Sequence, residues 1–100
     1  DPLRICGGGA QSDVWCQIFS DVLGRTIKRV ENPRQANARG AAFIASVGMG
    51  DIEFEDIPGL VKTEKTFHPN NDNQEIYEKL YKEFRYIYKQ SKNMYQRLNS

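Results

Sequence analysis

The sequence has few of the residues that usually mark a metal centre, a disulfide framework or a membrane span. Its 100 residues include two cysteines, one histidine and one tryptophan. Cys6 and Cys16 are not in CxxC spacing and no histidine cluster accompanies them, which favours reduced thiols and predicts no metal site. No apolar run reaches the length of a membrane span, and no signal-peptide pattern opens the sequence. We therefore expect a cytoplasmic protein with no membrane partner.

Net charge of either sign is also low. The formal net charge is +1, with 39% hydrophobic and 27% charged residues, as in an ordinary globular domain. Between residues 24 and 40 there is one acid, Glu31, and there are five basic residues: Arg25, Lys28, Arg29, Arg34 and Arg39. Because no aromatic residues are interleaved with them, we interpret these residues as a solvated basic face and predict no nucleic-acid partner.

Three consecutive glycines follow the first apolar run. Residues 3–6 are typical of a strand, Gly7, Gly8 and Gly9 of a loop, and Ser12 of the cap of a following helix. Glycine leaves no Cβ in the way of an anionic group, and the first N–H groups of a helix carry the positive end of its dipole. A phosphate-binding corner is one interpretation, and a tight connection between strand and helix is the other.

Two phosphate-binding motifs can be compared with this stretch. The P-loop requires a lysine, and none lies near Gly9. The dinucleotide fingerprint is matched in part, because Gly7-x-Gly9-x-x-Ser12 has serine in place of the third glycine. Glu31 follows at about the spacing of ~20 residues at which that motif places an acid for the ribose. A Rossmann-like dinucleotide-binding module is therefore an alternative.

Apolar spacing predicts a first helix that begins after Ser12 and ends at Gly24. Within it, apolar residues recur at intervals of three and four, and this stripe is expected to pack into the core. Its members are Val14, Trp15, Ile18, Phe19, Val22 and Leu23.

A short strand over residues 26–30 and a second helix are predicted next. Asn32 is a typical N-cap, and Pro33 suits the first helical position. Residues 34–47 are rich in alanine, and Ala36 and Gly40 share one face of the predicted helix. Such small side chains predict close packing against a neighbouring element.

Residues 51–72 are predicted to be a loop region. Its acidic stretch, residues 51–56, has no histidine or cysteine beside it and is interpreted as surface. His68 precedes a proline, which favours extended backbone. Since no serine or cysteine nucleophile accompanies it, no catalytic role is predicted for this histidine.

A long amphipathic helix is predicted over residues 73–99. All five tyrosines of the chain lie in it, and its apolar residues form one stripe. The stripe can pack on its own protein, or it can pair with a second copy in a short coiled coil. A homodimer, or a non-enzymatic helical association module, is therefore a further alternative.

Several blocks of the sequence resemble the C-terminal domain of the FGGY family of carbohydrate kinases. They are the glycine block at residues 7–12, the helix block at residues 15–24 and the Ala-Arg-Gly-Ala-Ala block at residues 38–42. Residues 1–50 are most similar to the xylulokinase branch of that family. The chain starts with Asp1-Pro2 rather than methionine, and we expect it to be a fragment of a longer kinase.

The resemblance implies the α/β fold of actin, Hsp70 and hexokinase, a ribonuclease H-like ATPase domain with ATP bound between two domains. The chain would be the C-terminal part of the nucleotide-binding domain. In that arrangement, residues 1–50 form a core of strand, glycine loop, helix, strand and helix. Residues 51–72 form the loop region, and residues 73–99 form the closing helix.

The resemblance also implies a nucleotide site, because the glycine-rich turn of the family contacts the nucleotide. ATP or ADP would lie with its phosphates and ribose against Gly8, Gly9 and Ala10, and with its adenosine towards Gln11 and Asp13.

The activity implied for the intact protein is Mg²⁺-dependent transfer of the γ-phosphoryl group of ATP to a ketopentose such as D-xylulose. The general base and the sugar pocket belong to parts of the family that precede these residues, in the N-terminal domain that binds the sugar. No catalytic residue is therefore expected here, and the fragment alone is expected to be inactive.

Overall fold

The computed structural model describes residues 2–100. Within these residues, three strands form one sheet, in the order β1 (Leu3–Ile5), β2 (Ile27–Val30) and β3 (Thr63–Phe67). Strand β1 is parallel to β2, and β3 is antiparallel to β2. The expectation that the chain is a fragment used Asp1, and this residue lies outside the described residues.

Within residues 2–100, four helices accompany the sheet. They are α1 (Asp13–Leu23), α2 (Ala36–Gly48), the single turn α3 (Ile57–Leu60) and the long α4 (Gln74–Leu98). Two one-turn 3-10 helices matter for the site: the glycine turn, Gly8–Gln11, and the proline turn, Pro33–Gln35. Within residues 2–100, no helix combines the length and apolarity that a membrane crossing needs.

Local signals at the ends of α1 are confirmed. The Trp15 N–H donates to Ser12 Oγ at 3.2 Å, so Ser12 is the N-cap. Gly24 has φ 63° and ends the helix in the left-handed conformation that glycine adopts without strain. The predicted order of strand, glycine turn, helix, strand and helix is observed, as is a long C-terminal helix.

The region predicted as loop, residues 51–72, contains strand β3, and that prediction is wrong there. Four of the five residues of β3 are exposed, and only Phe67 is buried. The strand is held by its backbone pairing with β2, with Ile27 opposite Phe67. Because an exposed edge strand shows no alternation of apolar residues, hydrophobic periodicity does not detect it.

The core is formed by Cys16, Ile27 and Phe67, with Leu3 and Ile5 packed against it. The face of α1 that meets the sheet therefore carries small residues rather than the predicted apolar stripe.

The prediction that the apolar stripe of α1 packs into the core is wrong at Trp15, which is 57% exposed. The residues of α1 that are buried are Cys16, Ser20 and Asp21. Ser20 Oγ lies 2.7 Å from the Arg25 carbonyl and 3.2 Å from the Phe67 carbonyl, so a hydroxyl bonds to the backbone where the helix approaches the sheet.

The second helix differs from its prediction in two ways. Asn32 precedes Pro33 as expected, but its φ is 49° and its side chain caps nothing; the proline turn intervenes before α2 begins. No residue of α2 is buried, and a Cβ added at Gly40 would meet nothing within 4 Å. The close packing predicted for this helix is therefore not present among the described residues.

Asp21 joins α1 to the turn that starts α4. Its Oδ1 accepts from the Asn70 N–H at 2.7 Å and from Gln17 Nε2 at 2.9 Å, and its Oδ2 accepts from Asn73 Nδ2 at 3.2 Å. Burial of Asp21 opposes ionisation, but these three donors outweigh it and lower the pKa of the carboxyl below its usual value. An ionised carboxylate thus holds the beginning of α4 against the core.

We expect Asp21→Asn to lower the free energy of unfolding by about 1–3 kcal/mol, because the new amide turns an N–H group towards donors that need an acceptor. Urea unfolding measures this loss, with Asp51→Asn, a change at an exposed carboxylate, as the matched control. Equal stability of the two variants would contradict the role given to Asp21.

The same carboxylate predicts a pH dependence. Its pKa is lower in the folded state than in the unfolded chain, where an aspartate titrates near about 3.9. Its stabilisation is therefore complete above roughly pH 5 and is lost as the pH falls below about 4, through the folded-state pKa. We expect Asp21→Asn to flatten the acid limb of the stability profile, measured by urea unfolding at several pH values.

Candidate functional site

The glycine turn leaves the sheet at the carboxyl end of β1. Gly7 has φ 95° and ψ 176°, a conformation that side chains rarely adopt, so the fold itself requires glycine here. The Gly7 N–H donates to the Pro33 carbonyl at 2.7 Å, which joins the glycine turn to the proline turn.

Gly8 and Gly9 are different, because the fold does not require glycine at either position. Neither has a positive φ, and a Cβ added at either would meet nothing within 4 Å. Glycine in a helical turn costs about 0.5–1 kcal/mol relative to alanine. The first N–H groups of such a turn also have no partner within it. The outer side of the turn is therefore open to a ligand that approaches the backbone closely.

Ala10 lies on the inner side of the glycine turn and is 1% exposed. Its carbonyl accepts from the Cys16 thiol at 3.3 Å and from Arg29 Nη1 at 3.3 Å. Arg29 Nη1 also lies 3.5 Å from the Gln11 carbonyl. The turn is thus held from the core while its outer side stays open.

Arg29, which was predicted to lie on a solvated basic face, is buried at 8% exposure, and that prediction is wrong for this residue. Its Nη1 lies 2.6 Å from Asp13 Oδ1, and its Nε lies 3.0 Å from Glu64 Oε2. The guanidinium also lies over the Phe67 ring, 5.6 Å from the ring centroid. Hydrogen bonding to Asp13 and then Glu64 raises the pKa of Arg29 against the opposing effect of burial.

Asp13 bridges two cations at the start of α1. Its Oδ1 is bound by Arg29, and its Oδ2 accepts from Lys65 Nζ at 2.6 Å. Lys65 first and Arg29 second lower the pKa of this half-exposed carboxyl. Asp13 therefore remains ionised and links the glycine turn to β3.

A cleft of about 670 Å³ opens between the glycine turn and the segment after β2. It lies where the carboxyl ends of β1 and β2 meet, which is the usual ligand edge of parallel strands. Its lining residues are Gln11, Arg29, Asn32, Pro33, Arg34, Gln35 and Glu64.

Some of the predicted site residues come together and some do not. Gln11 lines the cleft, and the open side of Gly8 and Gly9 is in the same turn. Glu31, the acid of the dinucleotide alternative, is not among the lining residues, and its carbonyl accepts from Arg39 Nη1. The cleft therefore lacks the acid at residue 31 that a dinucleotide-binding module would use to bind the ribose.

Sequence reasoning missed Glu64 and Lys65 because β3 itself was missed. For Arg29 a signal was present: it lies two residues from Ile27 in a strand, so both side chains point to the same, buried face.

The remaining chemistry-bearing residues lie elsewhere. His68 is exposed, with its Nδ1 3.4 Å from Thr26 Oγ1 and its carbonyl accepting from Gln17 Nε2 at 2.7 Å. Both cysteines are free, with Cys6 exposed and Cys16 buried. Among residues 2–100, no three or more histidine, cysteine or acidic side chains are grouped so that they could hold a metal ion.

We expect Arg29→Ala to lower the free energy of unfolding by roughly 1–3 kcal/mol, because the Ala10 carbonyl and two carboxylates lose their common donor. Thermal or urea unfolding measures the change. Arg4→Ala, at an exposed position of β1, is the control of equal charge. If both variants unfolded alike, the glycine turn would not depend on Arg29.

Comparisons with known proteins bear on this site. Residues 1–49 match the FGGY family of carbohydrate kinases, C-terminal domain. The xylulose kinase of Staphylococcus epidermidis is 34% identical over 90 residues, which cover 88% of this chain and 18% of that protein. The autoinducer-2 kinase of Photorhabdus laumondii is also 34% identical over 90 residues, or 88% of this chain and 17% of that protein.

A solved structure extends the likeness to three dimensions. The crystal structure of xylulose kinase from Rhodospirillum rubrum superposes with a TM-score of 0.73 at 33% identity, covering 94% of this chain and 19% of that one. The chain therefore spans about a fifth of its relatives and has the fold of part of an actin- or hexokinase-like ATPase. Together with the match over residues 1–49, this shows that the chain belongs to the FGGY family of carbohydrate kinases.

Proposed function

We propose that this chain supplies the nucleotide-binding part of an ATP-dependent sugar kinase, with the phosphates of ATP bound along the outer side of Gly8 and Gly9. One observation carries the proposal: two glycines that the fold does not require leave open space at the ligand edge of the parallel strands. Family membership supplies the chemistry, since FGGY members are carbohydrate kinases.

The turn suits a phosphate for three physical reasons. Missing side chains allow phosphate oxygens to approach the backbone N–H groups of Gly8 and Gly9 closely. N–H groups at the start of a helical turn have no internal partner and are available to an anion. The bonds from Cys16 and Arg29 to the Ala10 carbonyl hold the turn from behind, so the donors do not have to be ordered when the ligand binds.

The other proposed contacts follow from their places around the turn. Ala10 contributes its backbone beside the ribose, because its side chain is buried. Gln11 lines the cleft, and we place it on the adenosine side. Asp13, the other residue proposed for the adenosine, does not line this cleft; it is half-exposed at the start of α1, where Lys65 and Arg29 keep its carboxylate ionised.

In the proposed reaction, ATP supplies the γ-phosphoryl group that passes to a sugar hydroxyl. Phosphoryl transfer depends mainly on positioning and charge stabilisation, and this chain contributes the positioning of the phosphates. We place the general base and the sugar pocket in the part of the kinase outside residues 1–100. We also propose that Mg²⁺ arrives with the phosphates, whose oxygens are its preferred ligands.

D-xylulose, a ketopentose, is the proposed sugar because xylulose kinases are among the relatives at 34% identity, although an autoinducer-2 kinase has the same identity. We also propose a ribonuclease H-like topology for the complete domain, a cytoplasmic location and no nucleic-acid ligand.

Self-association is favoured by one specific observation. The apolar side chains of α4 are exposed along its length, with Phe84 at 71%, Ile87 at 59% and Leu98 at 73%. A homodimer through this face is therefore the second candidate.

We expect Gly9→Val in the intact kinase to weaken ADP binding at least tenfold, about 1.4 kcal/mol, because the new side chain occupies the space proposed for the phosphates. The fold should be unaffected, since a Cβ at Gly9 meets nothing within 4 Å. Calorimetric titration measures the affinity, and urea unfolding verifies the fold.

The matched control is Gly59→Val, which adds the same side chain in α3 at a position that is equally open. A folded Gly9→Val variant that binds ADP as tightly as the control would refute the phosphate site.

A further inference from the structure

We propose that Arg34, on the proline turn, binds the purine base of the nucleotide in the cleft by stacking its guanidinium on the ring. This inference rests on the proposed function, and it adds a specificity-determining residue on the side of the cleft opposite the glycine turn. It is carried by the placement of the proline turn, by the balance of charge in the cleft and by the chemistry of its lining side chains.

The proline turn is fixed beside the glycine turn. The bond from the Gly7 N–H to the Pro33 carbonyl, 2.7 Å long, ties the two turns together, and Pro33 is buried. Asn32 precedes it with φ 49° and ψ 63°, the one positive φ outside glycine in residues 2–100. This left-handed residue redirects the chain after β2, so that the next residues line the cleft before α2 begins.

The charges in the cleft leave one cation available. Arg29 and Glu64 pair with each other at 3.0 Å, and Arg29 also pairs with Asp13. Arg34 is exposed, and within the described part of the chain no acid lies within ion-pair distance of it. The other polar lining side chains are the neutral amides of Gln11, Asn32 and Gln35. Besides the Arg29–Glu64 ion pair, the cleft therefore presents one guanidinium without an acidic partner, that of Arg34, among carboxamides.

This combination can recognise a purine base. A planar guanidinium stacks on aromatic faces, and an asparagine or glutamine amide matches the donor and acceptor pair on the edge of adenine. Gly8 and Gly9, the proposed phosphate contacts, do not line the cleft, whereas Gln11, the residue proposed for the adenosine side, does. The base would thus lie between Gln11 and Arg34.

The test compares three probes on the intact kinase: Mg-ADP, adenosine and magnesium pyrophosphate, each titrated calorimetrically. Arg34→Ala removes the guanidinium, and Arg34→Lys keeps the positive charge but removes the planar group that stacks on the base. Arg85→Ala is the matched control, because Arg85 is an exposed arginine on α4, outside the cleft. Since Arg34 is itself exposed, all three variants should fold, which urea unfolding verifies.

We expect both Arg34 variants to bind ADP and adenosine at least fivefold more weakly and to bind pyrophosphate with unchanged affinity. Arg85→Ala should leave the affinity for all three probes unchanged. An equal loss of affinity for ADP and pyrophosphate would assign Arg34 to the phosphates and overturn the inference, and so would unchanged affinity of the Arg34 variants for all three probes. Failure of the proposed function itself has a separate signature: the unmodified kinase would not bind ADP, whereas failure of this inference alone leaves ADP binding sensitive to Gly9→Val.

Discussion

The buried guanidinium of Arg29 is the interaction on which the rest of the site depends. A charge removed from water is tolerated only when it is paired and hydrogen-bonded, and Arg29 reaches partners on three elements. It binds the Ala10 carbonyl in the glycine turn, Asp13 at the start of α1 and Glu64 on β3. Because all three partners bind the same guanidinium, the glycine turn, the start of α1 and β3 are held in fixed positions relative to one another.

This arrangement separates the two sides of the glycine turn. The inner side satisfies its carbonyls with the Cys16 thiol and Arg29, while the outer side has no side chains at Gly8 and Gly9. Because the inner side of the turn is already fixed and the outer side is open, the turn loses little conformational entropy when it binds a ligand. The same contacts that stabilise the fold therefore also prepare the proposed phosphate site.

Local signals predicted most of the elements, and long-range contacts account for the errors. Ser12 and Gly24 act within one helical turn, so the ends of α1 could be predicted from the sequence. Strand β3 could not, because its exposed residues follow no apolar period and its pairing partner lies far away in sequence. Trp15 was predicted to be buried, but the helix meets the sheet through Cys16 and Ser20.

The candidate site divides in the same way. Gly8, Gly9 and Gln11 could be proposed from a contiguous motif, and Arg29 could have been recognised from its alternation with Ile27. Lys65 lies 52 residues from Asp13, and only the folded chain brings the two together.

The most direct measurement is a titration of the kinase with Mg-ADP and, separately, with NAD, with the glycine amides isotopically labelled. If the kinase binds an adenine mononucleotide rather than a dinucleotide, with the phosphates against the backbone of the glycine turn, the Gly8 and Gly9 amides shift saturably with ADP and do not shift with NAD. ADP binding that left both amides unshifted, or an NAD response that disappeared on changing Glu31, would contradict this mode of binding.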